Sequence, residues 1–477
     1  MPLRTNCRAA PRSRERFTHQ SNGLIMQSHR IPFNVLILLL VPFMLTAQRR
    51  PAMDREPGEP VSVETHNFVS HEIGKSRIDV RLRVPYHEFV FVKNEVDRDS
   101  LPYSARAEIS IEILDRNGDV AARKLTREEF RAAEPPVSAR ESNTLERLYS
   151  FDLAPATYSI LLQVNDLESS RRYKNDRLKV SLKDFQNQPL EISDVLFTEK
   201  AVHDDTHEIT PISSGGDIPL GHNVDAYAEL NTSLPVESLH VSYDLFRSES
   251  NADRRQLVVH DTITAQQLSS GKTIDLAPTE HGFMYRLSDS SLKECRACWM
   301  HIRSDTLPEG RYELRINSSA GAQAKTVTEQ FHIRWLDRPF SLRDPELAVN
   351  ALEYIASEDE LRKLKSADHE EQRILFNEFW KRRDTTSKTA FSPLMAEYYR
   401  RVDYVMTNFS TLRQPNGVKT DRGKAYILYG PPTSVKRDLK PNAVPQEIWE
   451  YGHLHKKFTF IDESRQGNYK LYSTGDL

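Results

Sequence analysis

The most distinctive polar segment of the chain runs from Gly417 to Gly423 and reads Gly-Val-Lys-Thr-Asp-Arg-Gly. Thr420 and Asp421 can accept backbone N–H bonds in a tight turn, and Gly423 can adopt a positive φ. Arg422 can pair in a forked geometry with a carboxylate, for which Asp384 is the candidate. These residue types favour a turn that locks helices to a sheet, and a polar pocket is the alternative.

A pocket at this segment would support either catalysis or binding. In a catalytic pocket, Asp384 or Asp421 would be the acid–base group, and Arg422 would stabilise developing charge. In a binding pocket, the segment would act together with neighbouring aromatic, basic and turn residues. The candidate binding residues are Trp380, Arg383, Thr420, Gly423, Gly430, Pro431 and Trp449.

A cluster of histidines and acids reads His-Asp-Asp-Thr-His-Glu and could hold a divalent metal through His203, Asp205 and His207. It falls in an expected loop between strands, without a further fixed ligand or a recognised spacing. The pattern favours a solvated loop over a metal-linked sensor. We therefore predict no resident metal and no cofactor.

Cys295 and Cys298 form a C-x-x-C pair. Trp299 stands where a haem-attachment motif has His, and a zinc site needs a second pair of ligands. In an oxidising compartment, the spacing predicts either a small local disulfide or two idle thiols.

The sequence lacks the motifs of the best-known catalytic classes. It contains no H-E-x-x-H, no G-x-S-x-G, no P-loop and no G-x-G-x-x-G. The 477 residues carry a formal net charge of −3, so no large positive field favours nucleic acid as a partner. Recognised hydrolase and nucleotide chemistry is therefore not indicated.

The N-terminal part predicts export. A basic residue, Arg30, precedes an apolar run from Ile31 to Ala47, as in a secretory signal. The run is shorter than a membrane span needs and contains two prolines, although an uncleaved anchor is the alternative. Met26 would give a signal of ordinary proportions. We expect an extension or wrong start at 1–25, a signal peptide at 26–47 and a linker at 48–60.

The next part of the chain reads as strands separated by turns. Alternating apolar and polar residues predict strands at Ile78–Val84 and Ala107–Ile113, and a third strand is expected at Phe89–Val92. Asn117-Gly118 predicts a hairpin turn. A turn followed by a strand-opening tyrosine occurs twice, about one sandwich domain apart, at Tyr158 and Tyr312. We predict two tandem β-sandwich domains of the Ig-like kind, at 61–187 and 188–338.

The last third changes to helices and then strands. Acidic first turns and apolar stripes predict helices, and short alternating runs predict strands, including one at Lys424–Tyr429. This order indicates a small α+β domain at 339–477 with a three- or four-stranded antiparallel sheet. The helices are expected at Glu346–Ile355, Glu358–Lys365, Glu370–Arg382 and Pro393–Asn408, and the other strands at Glu447–Tyr451, Lys457–Ile461 and Tyr469–Tyr472.

Five segments of this last third, in order, resemble the GWxTD domain, a family found in exported bacterial proteins with no established molecular function. The first four are Phe379–Asp384, Glu397–Val402, Gly417–Gly423 and Tyr426–Pro432, and the fifth is Glu447–Tyr451. Here the signature tryptophan is replaced by Val418, and Thr385 stands where the family usually has proline. We interpret the tryptophan position as packing rather than ligand contact.

Together these patterns predict an exported cell-envelope protein, periplasmic or cell-surface, with a binding or scaffolding role. The expected partner is an envelope protein or a cell-wall polymer, with membrane contact only through an uncleaved signal. The alternatives are a hydrolase of envelope polymers that uses Asp384 or Asp421, and a metal-linked sensor.

Overall fold

The computed structural model describes residues 61–94, 101–134, 143–199, 208–212, 215–248, 254–264, 267–279, 282–290, 292, 294–384, 388–440 and 443–477. The expected extension, signal peptide and linker lie outside these residues. The candidate metal ligands His203, Asp205 and His207 also lie outside them. Within the described ranges, no helix combines the length and the apolar character that a membrane crossing requires.

The first sandwich packs a three-stranded sheet, in the order β1-β2-β6, against a sheet in which β4, β7 and β8 are neighbours. β5 and β3 both pair with β4 in that second sheet. Inward side chains of the alternating strands, such as Ile109 and Leu162, form a continuous core between the sheets. The strands are β1 (Ser62–Val69), β2 (Ser76–Pro85), β3 (Val92–Lys93), β4 (Tyr103–Leu114), β5 (Val120–Ala132), β6 (Thr144–Leu153), β7 (Thr157–Asp166) and β8 (Arg172–Ser181).

Most local predictions for this sandwich are confirmed. β2 and β4 cover the two alternating runs, and Gly118 turns the β4–β5 hairpin at a φ of 87°. The strand predicted at Phe89–Val92 is largely wrong, because a short 3-10 helix at Tyr86–Glu88 leads into the two-residue strand β3. Phe89 is buried instead in an aromatic cluster with Phe130.

The second sandwich packs the β12-β21-β20-β14-β15 sheet against the β10-β13-β19-β16 sheet, to which β9 also pairs through β13. A separate three-stranded sheet, β11-β18-β17, packs on this sandwich near the first one through Ile274 and Tyr285. The strands are β9 (Leu190–Ile192), β10 (Leu196–Glu199), β11 (Glu208–Ile209), β12 (Asp217–Pro219), β13 (Val224–Thr232), β14 (Leu239–Ser248), β15 (Arg255–Ile263), β16 (Leu268–Ser270), β17 (Lys272–Thr279), β18 (Gly282–Asp289), β19 (Cys295–Ile302), β20 (Gly310–Ala320) and β21 (Gln323–Arg334).

The repeated tyrosine has the same role in both sandwiches. The Tyr158 hydroxyl donates to the Ala154 carbonyl over 2.9 Å, and the Tyr312 hydroxyl donates to the Pro308 carbonyl over 2.8 Å. Each bond ties the turn to the strand that follows it, at a spacing of four residues. The repeat found in the sequence therefore corresponds to a repeated structural device.

In its described residues the C-terminal part contains five α-helices and the antiparallel β22-β23-β24-β25 sheet. Side-chain caps begin the helices: Ser357 and Glu360 form a capping box on α2, and Ser392 precedes Pro393 on α4. The elements are α1 (Pro345–Ala351), α2 (Glu358–Ser366), α3 (His369–Arg383), α4 (Pro393–Asn408), α5 (Asp421–Tyr429), β22 (Ser434–Asp438), β23 (Gln446–Tyr451), β24 (Lys456–Ile461) and β25 (Lys470–Asp476).

The strand predicted at Lys424–Tyr429 is wrong, because these residues lie in α5. Thr420 caps the helix, and Gly430 ends it at a φ of 78°, where only glycine is unstrained. The run Lys-Ala-Tyr-Ile-Leu-Tyr is too short to distinguish the two periods, and the cap at its start decides the outcome. The sheet reaches four strands through β22, which the sequence patterns missed.

The two sandwiches meet through buried polar groups. Arg77 on β2 donates from Nη1 to the Ile274 carbonyl over 2.6 Å and lies 3.1 Å from an Asp275 carboxylate oxygen. The carboxylate of Glu229 on β13 accepts the Val69 N–H over 2.7 Å. Because the bonds of Arg77 to the Ile274 carbonyl and of Glu229 to the Val69 N–H are buried, each fixes one sandwich against the other.

The second sandwich also meets the C-terminal part through direct contacts. The Asp403 carboxylate accepts the N–H groups of Phe340 and Ser341 over 2.6 and 2.9 Å. Phe391 packs edge-on against Trp335 with ring centroids 5.3 Å apart. The segment that links the second sandwich to the C-terminal part, from Trp335 to Ser341, is therefore held at both of its ends.

Candidate functional site

The turn before α5 is built by Thr420, which is buried. Its Oγ1 donates to the Gly417 carbonyl over 2.7 Å and accepts the Gly423 N–H over 2.9 Å. Both hydrogen-bonding roles of the hydroxyl are therefore used within the turn. Thr420 acts as a helix N-cap, which agrees with the predicted backbone bonding of this residue.

Gly423 is required for close packing rather than for a positive φ. It lies in the first turn of α5, where an added Cβ would stand 2.0 Å from the Gly417 carbonyl oxygen. Gly417 is equally constrained, since a Cβ there would meet the Val405 carbonyl oxygen at 1.9 Å. The two glycines let the turn lie directly against α4 and against itself.

Arg422 pairs with Glu447 on β23, and the predicted partner Asp384 is not the carboxylate it reaches. Its Nη1 lies 3.2 Å from Glu447 Oε2, and its Nη2 donates to the Gly467 carbonyl over 3.3 Å. The guanidinium also lies between the rings of Phe409 and Tyr469, at 4.9 and 4.3 Å from their centroids. Arg422 therefore connects α5 to the sheet and to the loop before β25.

Glu447 is the residue at the centre of this cluster, and sequence reasoning did not single it out. The residue is 4 % exposed, and its carboxylate also accepts from the Trp449 indole N–H over 3.2 Å and from Arg437 over 2.8 Å. Its signal in the sequence is the segment Glu-Ile-Trp-Glu-Tyr, in which Glu447 and Trp449 share one face of a strand. We call Arg422, Glu447 and Trp449 the latch.

The two candidate acids, Asp421 and Asp384, lie at a helix N-terminus and a helix C-terminus respectively. Asp421 begins α5, and its Oδ2 accepts the Leu471 N–H of β25 over 2.7 Å. Asp384 is the buried C-cap of α3, and its N–H donates to the Trp380 carbonyl. The two carboxylates therefore belong to the ends of different helices, Asp421 to the start of α5 and Asp384 to the end of α3.

The basic candidate Arg383 is held on the helical face of the domain. Its two terminal nitrogens contact the two oxygens of Glu360 over 3.2 and 3.0 Å, and its guanidinium lies 3.6 Å from the Phe379 centroid. Hydrogen bonding from Arg383 lowers the pKa of Glu360 to about 2. This pair joins α2 to α3.

The remaining candidates are parts of the core or of turns. Trp380 and Trp449 are each 3 % exposed in the hydrophobic core of the domain. The Gly430 carbonyl accepts the buried Tyr451 hydroxyl over 3.0 Å, and Pro431 follows it as an exposed turn residue. Trp380 and Trp449 therefore contribute to the packing of the domain, and Gly430 contributes to the turn after α5.

Val418 occupies the signature tryptophan position and is 2 % exposed. Its side chain belongs to the core of the domain, and its carbonyl accepts the Tyr354 hydroxyl over 2.8 Å. The position is therefore a packing position, as interpreted from the sequence.

Of the two states expected for Cys295 and Cys298, the structure shows the two idle thiols and not the disulfide: both thiols are free and buried. They are three residues apart on the regular strand β19, so their side chains point to opposite faces. Cys298 packs in the core of the sandwich, and Cys295 packs with Val69 and Phe185. Burial raises the pKa of Cys298 to about 12, and burial also raises the pKa of Cys295, so both remain protonated and inert.

No group of His, Cys, Asp and Glu side chains in the described part of the chain is arranged to hold a metal ion.

The model of the GWxTD domain family matches residues 319–475. The chain is a GWxTD domain-containing protein. The match begins in β20 and includes all of β21, so the GWxTD domain as a sequence unit includes the end of β20 and the whole of β21 from the second sandwich. No curated protein sequence matches this chain.

Solved structures similar to this protein are distant. A red sea bream transglutaminase is 9% identical with a TM-score of 0.16, covering 58% of this chain, which spans 32% of the transglutaminase. The C-terminal domain of the Streptococcus agalactiae AgI/II polypeptide BspA is 9% identical with a TM-score of 0.14, covering 57% of this chain and 100% of the domain. A Clostridium perfringens family 123 glycoside hydrolase is 12% identical with a TM-score of 0.16, covering 41% and 36%. Likenesses at this level assign neither a fold nor a function to the GWxTD protein.

Proposed function

We propose that this GWxTD protein is exported to the cell envelope and has a binding or scaffolding role there, toward an envelope protein or a cell-wall polymer. The observation that carries the proposal is the use of the signature polar groups inside the fold. Thr420 caps α5, Asp421 binds a backbone N–H of β25, and Arg422 is paired with Glu447. Groups engaged in this way stabilise a platform and have little capacity left for acid–base chemistry.

The junctions between the parts of the chain support the same proposal. Buried polar contacts join the first sandwich to the second, and the Asp403 carboxylate anchors the start of the C-terminal part. Modules held in this way present their outer surfaces at fixed distances from each other. A fixed spacing suits a scaffold that holds partners in place.

We also propose that the two sandwiches are Ig-like. The support is the hydroxyl of Tyr158 in the first sandwich and of Tyr312 in the second, each bonded to a carbonyl four residues earlier. Ig-like sandwiches place their variable loops at the ends of the strands, where partners are recognised. Their function depends on those loops rather than on the fold itself.

Export rests on the N-terminal segment. A fusion of residues 1–60 to a reporter that is active only outside the cytoplasm should give activity, and a matched fusion with Leu38→Arg and Leu39→Arg should not. Equal activity of the two fusions would contradict export through this signal. The mass of the mature protein shows where the signal is cleaved.

The binding role is separated from the hydrolase alternative by one pair of experiments. Purified protein should co-sediment with isolated cell-wall polymer, or should be recovered cross-linked to an envelope protein in living cells. Asp421→Asn should bind as the unaltered protein does, and the polymer should release no fragments with either form. Release of fragments that Asp421→Asn abolishes would establish the hydrolase and overturn the proposal.

A further inference from the structure

Strand β5 carries a charge order that is complementary to itself when reversed. Its central residues read Arg-Lys-Leu-Thr-Arg-Glu-Glu, from Arg123 to Glu129. Two cations stand at one end of this run and two anions at the other, with Thr126 at the centre. An antiparallel second copy of the same strand would therefore meet opposite charges.

β5 is also available for such a contact. It pairs along one side with β4, and no described strand pairs with its other side. The side chains of Arg123 and Arg127 are 59 % and 73 % exposed, and Leu125 is 50 % exposed. A long edge strand with exposed side chains offers backbone N–H and C=O groups to another strand.

The register of the contact follows from the faces of β5. Between Ala122 and Ala132 the pairing with β4 is regular, so odd and even residues lie on opposite faces. A two-fold axis through Thr126 places Arg123 opposite Glu129 of the second copy, on the outer face. It places Lys124 opposite Glu128 of the second copy, on the inner face, which is the face turned toward the other sheet of the sandwich. Symmetry repeats both pairs, which gives four pairs of opposite charge.

The outer pairs extend an existing line of alternating charges across the sheet. Arg123 already lies 3.1 Å from Glu112 on β4, and Glu129 stands opposite Arg106 in the β4–β5 register. Arg106 in turn lies 2.6 Å from Glu168. Joining two copies would continue this alternation from one sheet into the next.

Neighbouring registers are disfavoured. Moving the axis to Leu125 would place Arg123 opposite Arg127 of the second copy, and moving it to Arg127 would place Arg123 opposite Arg131. Like charges directly opposite each other on paired strands are destabilising. The order of charges along β5 thus selects one register. Ordinary edge strands are often protected by charges of one sign, which repel a second copy, and β5 differs because its charges are of both signs.

We propose that β5 is a self-association surface, on which a second copy of this chain adds its own β5 in antiparallel orientation about Thr126. The two β4-containing sheets then form one continuous sheet across a two-fold axis. The inference does not depend on the proposed envelope function.

The test uses two variants that are each self-repelling and together complementary. Arg123→Glu with Lys124→Glu makes both ends of the run acidic, and Glu128→Lys with Glu129→Arg makes both ends basic. The unaltered protein should sediment at twice the monomer mass at micromolar concentration, and its dimer should weaken as salt is raised. Each variant should have a dissociation constant at least about tenfold higher. A 1:1 mixture of the two should recover the dimer.

The matched control lies on β8, at the opposite edge of the same sheet. Lys174→Glu with Lys179→Glu changes two exposed cations there and should leave the dimer unchanged. Melting temperatures of all variants show that the monomers remain folded, which matters because Glu128 also contacts Arg147 over 2.7 Å. A monomeric unaltered protein, or folded variants that dimerise as it does, would overturn the proposal. So would a mixture that stays monomeric.

Discussion

Two arginines, Arg77 and Arg422, hold parts of this molecule together in different ways. Arg77 joins the two sandwiches, whereas Arg422 joins a helix to a sheet within one domain. Arg422 faces a carboxylate that also accepts from Trp449 and Arg437, so its cluster is well satisfied. Arg77 Nε lies 3.2 Å from the carboxylate of the fully buried Asp79, and Arg77 Nη2 has no hydrogen-bond partner among the described residues.

The difference shows what each cluster contributes. Burial disfavours the charged form of Arg77, yet the carboxylates of Asp79 and Glu229 leave its pKa raised. A charged network of this kind defines one relative placement of two domains, because every alternative leaves buried charges unpaired. The latch instead fixes the packing of one helix, and aromatic contacts share that task.

The largest expected effect comes from Arg77→Met. The change leaves the buried carboxylates of Asp79 and Glu229 without their cation, which should lower the free energy of unfolding by about 3–5 kcal/mol. Urea denaturation followed by circular dichroism measures it. Arg106→Met is the matched control, since its ion pair with Glu168 is solvent-exposed and screened, so the loss should be much smaller than for Arg77→Met. Equal losses of stability in the two variants would show that the buried Arg77 network contributes no more than an exposed ion pair.

The next effect tests the close packing beside the latch. Gly423→Ala places a Cβ 2.0 Å from a backbone oxygen that cannot move away, so we expect a loss of about 3 kcal/mol. Gly475→Ala is the control, because a Cβ there meets nothing within 4 Å. Thermal unfolding should separate the two variants clearly. A stable Gly423→Ala protein would mean that the turn packs differently.

A smaller effect is expected from each repeated tyrosine. Tyr158→Phe and Tyr312→Phe remove one hydroxyl bond to a carbonyl while they keep the ring, so each should cost about 1 kcal/mol. Because the two sandwiches use the same device, the losses should be similar and additive. Urea titration of both single variants and the double variant measures this. A large difference would break the equivalence of the two sandwiches.

The smallest expected effect is dependent on pH. The pKa of Glu360 is depressed to about 2 in the folded protein from an ordinary 4.5, so its contribution is present above pH 4.5 and is lost as pH falls toward 2. Solvent screening reduces that contribution to about 1 kcal/mol or less. Glu360→Gln should lower stability at pH 7 by that amount and have no effect near pH 2. An equal loss at both pH values would rule out the ion pair with Arg383 as its cause.

The sequence predicted much of the local structure because strong periods and caps decide it. Alternation located β2 and β4, and the repeated tyrosine located equivalent corners in the two sandwiches. The short run Lys424–Tyr429 could not be assigned to helix or strand from its hydrophobic periodicity alone. It is a helix because Thr420 caps α5. Two-residue strands such as β3 carry no periodic signal at all.

The candidate site was predicted in part. Thr420 and Asp421 were expected to bind backbone groups and do so, because such bonds depend on neighbouring residues. The partner of Arg422 was misassigned, since Glu447 is brought to it only by the packing of α5 on the sheet. Arg77 and Glu229 gave no signal, because a charged residue in an alternating strand usually faces water.

The central claim is that the signature segment of this GWxTD domain stabilises the fold through its latch. A double-mutant cycle with Arg422→Met, Glu447→Gln and the double variant measures it most directly by urea denaturation. We predict a coupling free energy of about 2 kcal/mol between the two side chains, with each single variant destabilised. Single variants that are as stable as the unaltered protein, with no coupling, would contradict the claim.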